Sequence, residues 1–205
     1  MIRLGIVDDH ASIRDSYTKA IEENEGFKVI GSLASAELAQ LWCDENLPDV
    51  VLMDICTEGG ASGLAATRSI KKNHPKIKVI VMTGFDEISY IPRAKEAGAD
   101  GFVYKSQSFD YLIQVMNKVM SGEQSFPEPK KIPVPKGEAP LTEREMEILR
   151  LLCKNYSRKE IAQILFLSEN TIKRHLANMM EKTGFNTTMA LAVYMISNGW
   201  INPNI

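Results

Sequence analysis

Five short apolar runs dominate the first part of the chain: LGIV (4–7), FKVIGSL (27–33), DVVLM (49–53), KVIVM (78–82) and GFVY (101–104). Amphipathic stretches separate them at 11–23, 35–46, 62–73, 87–97 and 108–120. The short apolar runs suit strands, and the stretches between them carry the helical period. Strands this apolar must be covered on both faces, so the pattern predicts a parallel sheet flanked by helices. Right-handed crossovers then give a doubly wound, five-stranded α/β sheet. In that architecture ligands collect beyond the carboxyl ends of the strands.

The residues at those ends carry chemistry. The first strand runs into Asp8-Asp9, the third into Asp54, the fourth into Thr83-Gly84 and the fifth into Lys105. One aspartate after a strand is ordinarily a cap or a turn residue. Three carboxylates converging on one crevice are different, because they repel one another unless a cation joins them. Hard oxygen donors at a sheet edge suit Mg²⁺, which readily shares its shell with a phosphate. An aspartate can also attack phosphorus and form an aspartyl phosphate, whose oxygens Lys105 and Thr83 would bind.

Composition narrows the class only after the chain is divided. Five of the nine prolines (Pro127, Pro129, Pro133, Pro135, Pro140) fall within 14 residues and mark an extended linker. Residues 1–126 hold 13 Lys and Arg against 18 Asp and Glu, a net of −5. Residues 127–137 carry +2 and residues 138–205 carry +1, so the total of −2 averages an acidic part with a mildly basic one. Three separated cysteines, Cys43, Cys56 and Cys153, argue against a disulfide scaffold or a metal knuckle and fit a reducing cytoplasm. No apolar run is long enough to span a bilayer, and no signal-peptide pattern is present, so no membrane partner is expected.

Beyond residue 140 the signals are helical. Thr142 and Glu145 form a capping box, Ser157 caps RKEIAQIL, LFLS turns the chain, and Ser168 caps ENTIKRHLANMMEKT. A last helix is expected from about Thr187 to Asn198. Two short capped helices joined by a tight turn suggest a helix-turn-helix. In the third helix Ile172, Leu176, Met179 and Thr183 share one face. Lys173, Arg174, Ala177 and Asn178 share the other, which suits a DNA major groove. Met189, Val193 and Ile196 on the last helix are either a dimer face or core.

Two resemblances gather these readings. DDH at 8–10, VVLMD ending at Asp54, VIVMTG with Thr83 and GADGFVYK ending at Lys105 resemble the receiver domain of two-component response regulators. LTEREMEILRLL with KEIAQILFLSENTIKRHLANMMEKTG resembles the LuxR-type helix-turn-helix, and the two together resemble the NarL/FixJ response regulators. The resemblance implies a flavodoxin-like receiver (1–121), a linker (122–139) and a four-helix, all-α DNA-binding domain (140–205). It implies Asp54 as the phosphoacceptor for a histidine kinase, not an enzyme turning over external substrates. Asp9 would hold Mg²⁺ directly, Asp8 through water, and the Cys56 carbonyl would complete the ligands. Thr83 and Lys105 would meet the phosphoryl group. Phe102 takes the aromatic switch position, its ring expected to swing inward when Thr83 moves, and Gly84 leaves room for the phosphodonor. Lys173, Arg174 and Ala177 would face bases of promoter DNA, while Asn170, Thr171 and Lys182 would favour phosphates. A homodimer would form on phosphorylation or on DNA.

Spacing disfavours two rivals. A haloacid-dehalogenase-like phosphatase needs a second Asp at position 56, where this chain has Cys56, and a dinucleotide fold needs a glycine-rich turn where Asp8-Asp9-His10 stands. His10 is expected to line the same edge as a capping or supporting group. Two departures from the family pattern stand out. The loop CTEGGASG puts Gly63 nine positions after Asp54, one more than usual, with Gly59 and Gly60 adding freedom. Ser106 follows Lys105 where a proline, often with a cis bond, is common.

Overall fold

The computed structural model describes residues 1–57, 61–85, 87, 90–128 and 141–203, which form two compact units. The first holds β1 (Ile2–Val7), α1 (Ala11–Glu22), β2 (Phe27–Leu33), α2 (Ala39–Asn46) after a short 3-10 turn, β3 (Val50–Asp54), α3 (Gly63–Asn73), β4 (Lys78–Thr83), α4 (Tyr90–Glu96), β5 (Gly101–Tyr104) and α5 (Phe109–Met120). The sheet is parallel throughout, with strand order β2-β1-β3-β4-β5. The expected doubly wound sheet is therefore present. The order reverses at β1, so the carboxyl ends of β1 and β3 flank the switch point where ligands gather.

Every residue of β3 is buried, as are most of β4 and β5, which matches their unbroken apolar runs. Leu4, Ile6, Leu52, Ile80, Met82 and Val103 pack with Ile21, Leu112, Val115, Met116 and Val119 into one core. At the β1–β2 pairing Gly5 lies opposite Gly31. The Trp42 ring of α2 lies over both, so that a Cβ at either position would come within 2.7 Å of it. The two glycines are the floor on which that indole packs.

The second unit holds α6 (Glu143–Cys153), α7 (Arg158–Ile164), α8 (Glu169–Thr183) and α9 (Thr188–Ser197). The capping boxes at Thr142 and Ser157 are both formed, and Ser168 and Thr187 accept from the backbone amides three residues on. Met146, Ile148, Leu149, Ile161, Leu165, Ile172, Leu176, Met179, Leu191 and Met195 make its core. Among the described residues no helix is long and apolar enough to cross a membrane.

Candidate functional site

Three strand ends build the first site. Asp8 stands one residue past β1, Asp54 ends β3 and Lys105 stands one residue past β5. β4 lies between β3 and β5, so the Lys105 side chain must cross about 10 Å of sheet edge to reach the acids. It does so. Its Nζ lies 2.7 Å from Asp8 Oδ2 and 2.8 Å from Asp54 Oδ2. The Lys105 amide donates to the Thr83 carbonyl at 2.7 Å, and the Ile55 amide donates to Met82 at 3.0 Å, which keeps the strand ends aligned.

Asp8 is fully buried, Asp54 nearly so, and Thr83 is buried beside them. Burial is the main force on Asp54 and pushes its carboxyl up to about 6; the Lys105 ammonium opposes this, and the charges of Asp8 and Asp9 add to it. Burial also works against the charge of Lys105, but its hydrogen bonds to Asp54 and Asp8 outweigh that, so its affinity for a proton is raised. One cation thus serves two buried acids with a third at their side, and the cluster keeps an excess of negative charge. That excess and the donor chemistry fit a hard divalent cation. Asp8, Asp9 and His10 bring ligand atoms within 4.8 Å of one another, and Asp9 Oδ1 is buried without a well-aligned hydrogen bond. His10 is exposed, with Nδ1 2.6 Å from Asp9 Oδ1, and its backbone amide donates to Asp8 Oδ1. It is a supporting group at the edge, and its side chain caps no helix.

Several residues to which the sequence reading gave no site role shape this site. Gly63 opens α3, and a Cβ there would fall 1.8 Å from the Asp54 carbonyl oxygen. No side chain fits without moving the acid. Arg14 of α1 donates to the Asp8 carbonyl at 2.7 Å and fixes the acidic turn. Tyr17 packs edge-on against Phe109; burial raises its phenol, with Lys105 lowering and Asp8 and Asp54 raising it further, which puts its ring within reach of the cluster's field. Thr57 accepts from the Ala36 amide and donates to the Ala61 carbonyl, closing the loop after Cys56. Residues 58–60 of that loop, including Gly59 and Gly60, lie outside the described residues. Arg14 and Tyr17 sit three apart on the helix that follows the acidic turn, and that spacing was the available signal.

Three further positions complete the site. Phe102 already lies inside, fully buried and edge-on to Tyr104 at 5.2 Å. The bond between Lys105 and Ser106 is trans, since no described peptide bond is cis. Gly84 is as expected: a Cβ there would meet nothing within 4 Å.

In the second unit Lys173, Arg174, Ala177 and Asn178 form the exposed face of α8, opposite buried Ile172, Leu176, Met179 and Thr183. Asn170 is exposed, while the Thr171 hydroxyl is engaged with Ser168 at 2.8 Å. Beside this face a hollow of about 320 Å³ is lined by Lys173, Ala177, Arg158, Asn186, Thr187 and Thr188, adding a second cation that the sequence reading did not name. Lys182 departs from its expected role. Its ammonium lies 2.8 Å from Glu145 Oε2, a carboxylate that is almost wholly buried and also accepts from the Thr142 amide. Burial raises the Glu145 carboxyl, but Lys182 and Thr142 outweigh it and leave it lowered. Lys182 therefore ties the end of α8 to the start of α6. Met189, Val193 and Ile196 are 69%, 57% and 37% exposed, so they are a surface rather than core.

A parallel sheet that gathers acids and a lysine at its switch point, followed by a helix-turn-helix, defines a signalling regulator that binds DNA. The comparisons agree. Residues 4–117 match the response regulator receiver domain, and residues 139–195 match the bacterial regulatory proteins of the luxR family. The response regulator protein VraR of Staphylococcus epidermidis is 32% identical over 98% of this chain and 99% of that protein. The chain belongs to the response regulators that carry a receiver and a luxR-type DNA-binding domain. Among solved structures, a LuxR-family two-component response regulator from Aurantimonas sp. is 31% identical, covering 61% of this chain and 89% of that one, with a TM-score of 0.58. RcsB from Salmonella enterica, bound to promoter rprA in the presence of the phosphomimetic BeF3⁻, shares the fold at 24% identity. It covers 96% of this chain and 99% of that chain, with a TM-score of 0.66.

Two predictions follow from these geometries. Between its unfolded value and about 6 the folded chain holds a proton on Asp54 that the unfolded chain has released, so this group's charge costs stability as pH rises through that window. Asp54→Asn should therefore be more stable than the parent by roughly 1–3 kcal/mol at pH 7.5 in chelator, with the gap closing below about pH 4.5. Urea unfolding at both pH values checks this, and equal stabilities at pH 7.5 would contradict it. Lys182→Ala leaves Glu145 buried without its cation and should lower stability by about 1–3 kcal/mol. A normal melting temperature with weakened DNA binding would instead make Lys182 a phosphate contact.

Proposed function

We propose that the Asp54 carboxylate takes a phosphoryl group from the phosphohistidine of a sensor kinase, and that this event controls promoter binding by α8. The observation that carries the reading is the single lysine shared between two buried acids at the sheet's switch point. An Asp54 oxygen attacks phosphorus, the P–N bond to the donor histidine breaks, and the imidazole leaves with its electron pair and takes up a proton. Gly84 leaves the approach open, and Gly63, with no Cβ, lets α3 begin against the Asp54 carbonyl. Lys105 already sits at hydrogen-bonding distance from the attacked carboxyl, so it passes to a phosphoryl oxygen with little reorganisation. Thr83 at the end of β4 offers its hydroxyl to another.

A divalent cation, Mg²⁺ in this reading, would be held by the carboxylates of Asp9 and Asp54 and the Cys56 carbonyl, with Asp8 holding it through water. When bound it neutralises the charge that accumulates around phosphorus. The phosphorylated site gains about −2 charge, and Thr83 and Phe102 on β4 and β5 are the positions that respond. The chain then divides as receiver 1–121, linker 122–139 and DNA-binding domain 140–205, working in a reducing cytoplasm. Its role is that of a switch, with no turnover of external substrates.

In the DNA-binding domain Lys173, Arg174 and Ala177 face base edges; Ala177 contributes an apolar contact such as one to a thymine methyl. Asn170, Thr171 and Arg158 reach phosphates, in place of Lys182. The exposed Met189, Val193 and Ile196 on α9 are the face on which two copies pair over neighbouring half-sites. A domain charge of only +1 makes that pairing necessary for useful affinity.

Incubation with acetyl phosphate and Mg²⁺ should label Asp54 and should fail in Asp54→Asn. Lys173→Ala with Arg174→Ala should weaken DNA retention by more than about tenfold. Retained DNA binding with no phosphate uptake in saturating Mg²⁺ would instead support a regulator whose receiver is inert.

A further inference from the structure

The residues just after α5 do not start a free linker. Gly122, at φ +94°, reverses the chain, and the Glu123 amide closes back onto the Lys118 carbonyl. Ser125 then lies alongside β5 as a parallel bridge to Gly101. Two backbone hydrogen bonds make the attachment: Phe102 N–H donates to the Ser125 carbonyl at 2.9 Å, and Ser125 N–H donates to the Asp100 carbonyl at 3.0 Å. Gly101 permits the approach, since a Cβ there would lie 3.3 Å from Ser125 O and 3.0 Å from the Val119 side chain. One residue further on, the Phe126 ring lies under Lys95 Nζ of α4, 4.9 Å from the ammonium. A four-residue strap thus closes the outer edge of the sheet, an edge that would otherwise expose unpaired groups.

The strap's attachment points have a specific address. Its main hydrogen bond comes from the backbone of Phe102, three residues from Lys105 in a strand only four residues long. β5 is tied to the phosphoacceptor at its other end by the Lys105 ion pairs and by the Lys105 amide on Thr83. Its second anchor is α4. The Phe102 side chain is buried while its amide holds Ser125, so the main chain of β5 offers a route from Lys105 to the surface.

We propose that the strap Glu123–Phe126 is the coupling element of this protein. It reads the state of β5 through the Phe102–Ser125 hydrogen bond and passes it to the linker that leads to the DNA-binding domain. The proposal rests on phosphorylation at Asp54, and it adds where that signal leaves the receiver. It names a two-state contact, attached or detached, whose balance the two ends share. Shifting Lys105 onto a phosphoryl group repositions β5 and changes the pairing. Detaching the strap by other means leaves the phosphoryl site intact but silences its effect on DNA.

The test uses the full chain. Ser125→Pro removes the amide that donates to Asp100, and Phe126→Ala removes the ring under Lys95; neither residue touches the acidic cluster. The double variant is labelled at Asp54 with acetyl phosphate and Mg²⁺, and DNA affinity is measured with and without label. The parent should show a phosphorylation-dependent affinity ratio, on the order of tenfold. The double variant should take up phosphate as the parent does, with that ratio falling to near one. Amide exchange at Phe102 and Ser125 in the parent should change on phosphorylation. Normal uptake with an unchanged ratio in the double variant, or exchange at both amides indifferent to label, overturns the coupling role. Absence of uptake in the parent overturns the phosphorylation reading instead, so the two failures are distinct. If the double variant misfolds, Phe126→Ala alone carries the affinity test and the parent's amide exchange decides.

Discussion

The receiver depends on one ammonium group. Lys105 lies within 2.8 Å of carboxylates from two different strands, both of them withdrawn from water. Removing charge from water costs several kcal/mol per ion unless it is paired, and a single cation cannot fully compensate two acids with a third nearby. The cluster is therefore strained electrostatically by construction. A divalent cation would relieve it, and a site whose charge balance depends on a cation is suited to the phosphoryl uptake proposed for Asp54. The surrounding fold is explicable as what holds that strain in place. Fully buried β3 presents Asp54, Arg14 fixes the turn at Asp8, and Gly63 lets α3 begin in contact with the Asp54 carbonyl.

The DNA-binding unit is built on a contrasting principle. Its buried Glu145 carboxylate accepts from the Thr142 amide and pairs with Lys182. The network ties the end of α8, the helix that carries Lys173 and Arg174, to the start of α6. Rigidity suits recognition, where misplacement of a side chain by an ångström loses a base contact. The strap after α5 lies between these two kinds of construction, and its contacts are of the sort that can be made and broken: two backbone bonds and one ring–cation contact at a sheet edge.

Much of this was legible in the sequence because two periodicities and a few caps report directly on local structure. The run FKVIGSL corresponds to β2 without adjustment, and the segment from Ser168 corresponds to α8 with its cap. The acids and the lysine were legible because each ends an apolar run. What escaped was tertiary. Lys182 looks like any basic residue at a helix end until Glu145, 37 positions away, is found beside it. Phe102 fits an aromatic switch position by spacing, yet spacing carries no rotamer, and the ring is inside. Gly63 read as one residue out of register, and its role emerges only from the 1.8 Å approach a side chain would force. Residues 129–140 of the stretch expected as a linker lie outside the described residues, and the first residues assigned to it are held by backbone hydrogen bonds, which have no side-chain signature.

The most direct measurement is a carbon-13 NMR titration of the Asp54 carboxyl in the full chain, without divalent cation and with Lys105 either intact or replaced by methionine. If burial raises this acid and Lys105 restrains the rise, the midpoint in the parent falls near 6, and Lys105→Met moves it higher still. A parent midpoint near the ordinary aspartate value, unmoved by Lys105→Met, would contradict the view that a strained, lysine-held acid cluster is the core of the switch.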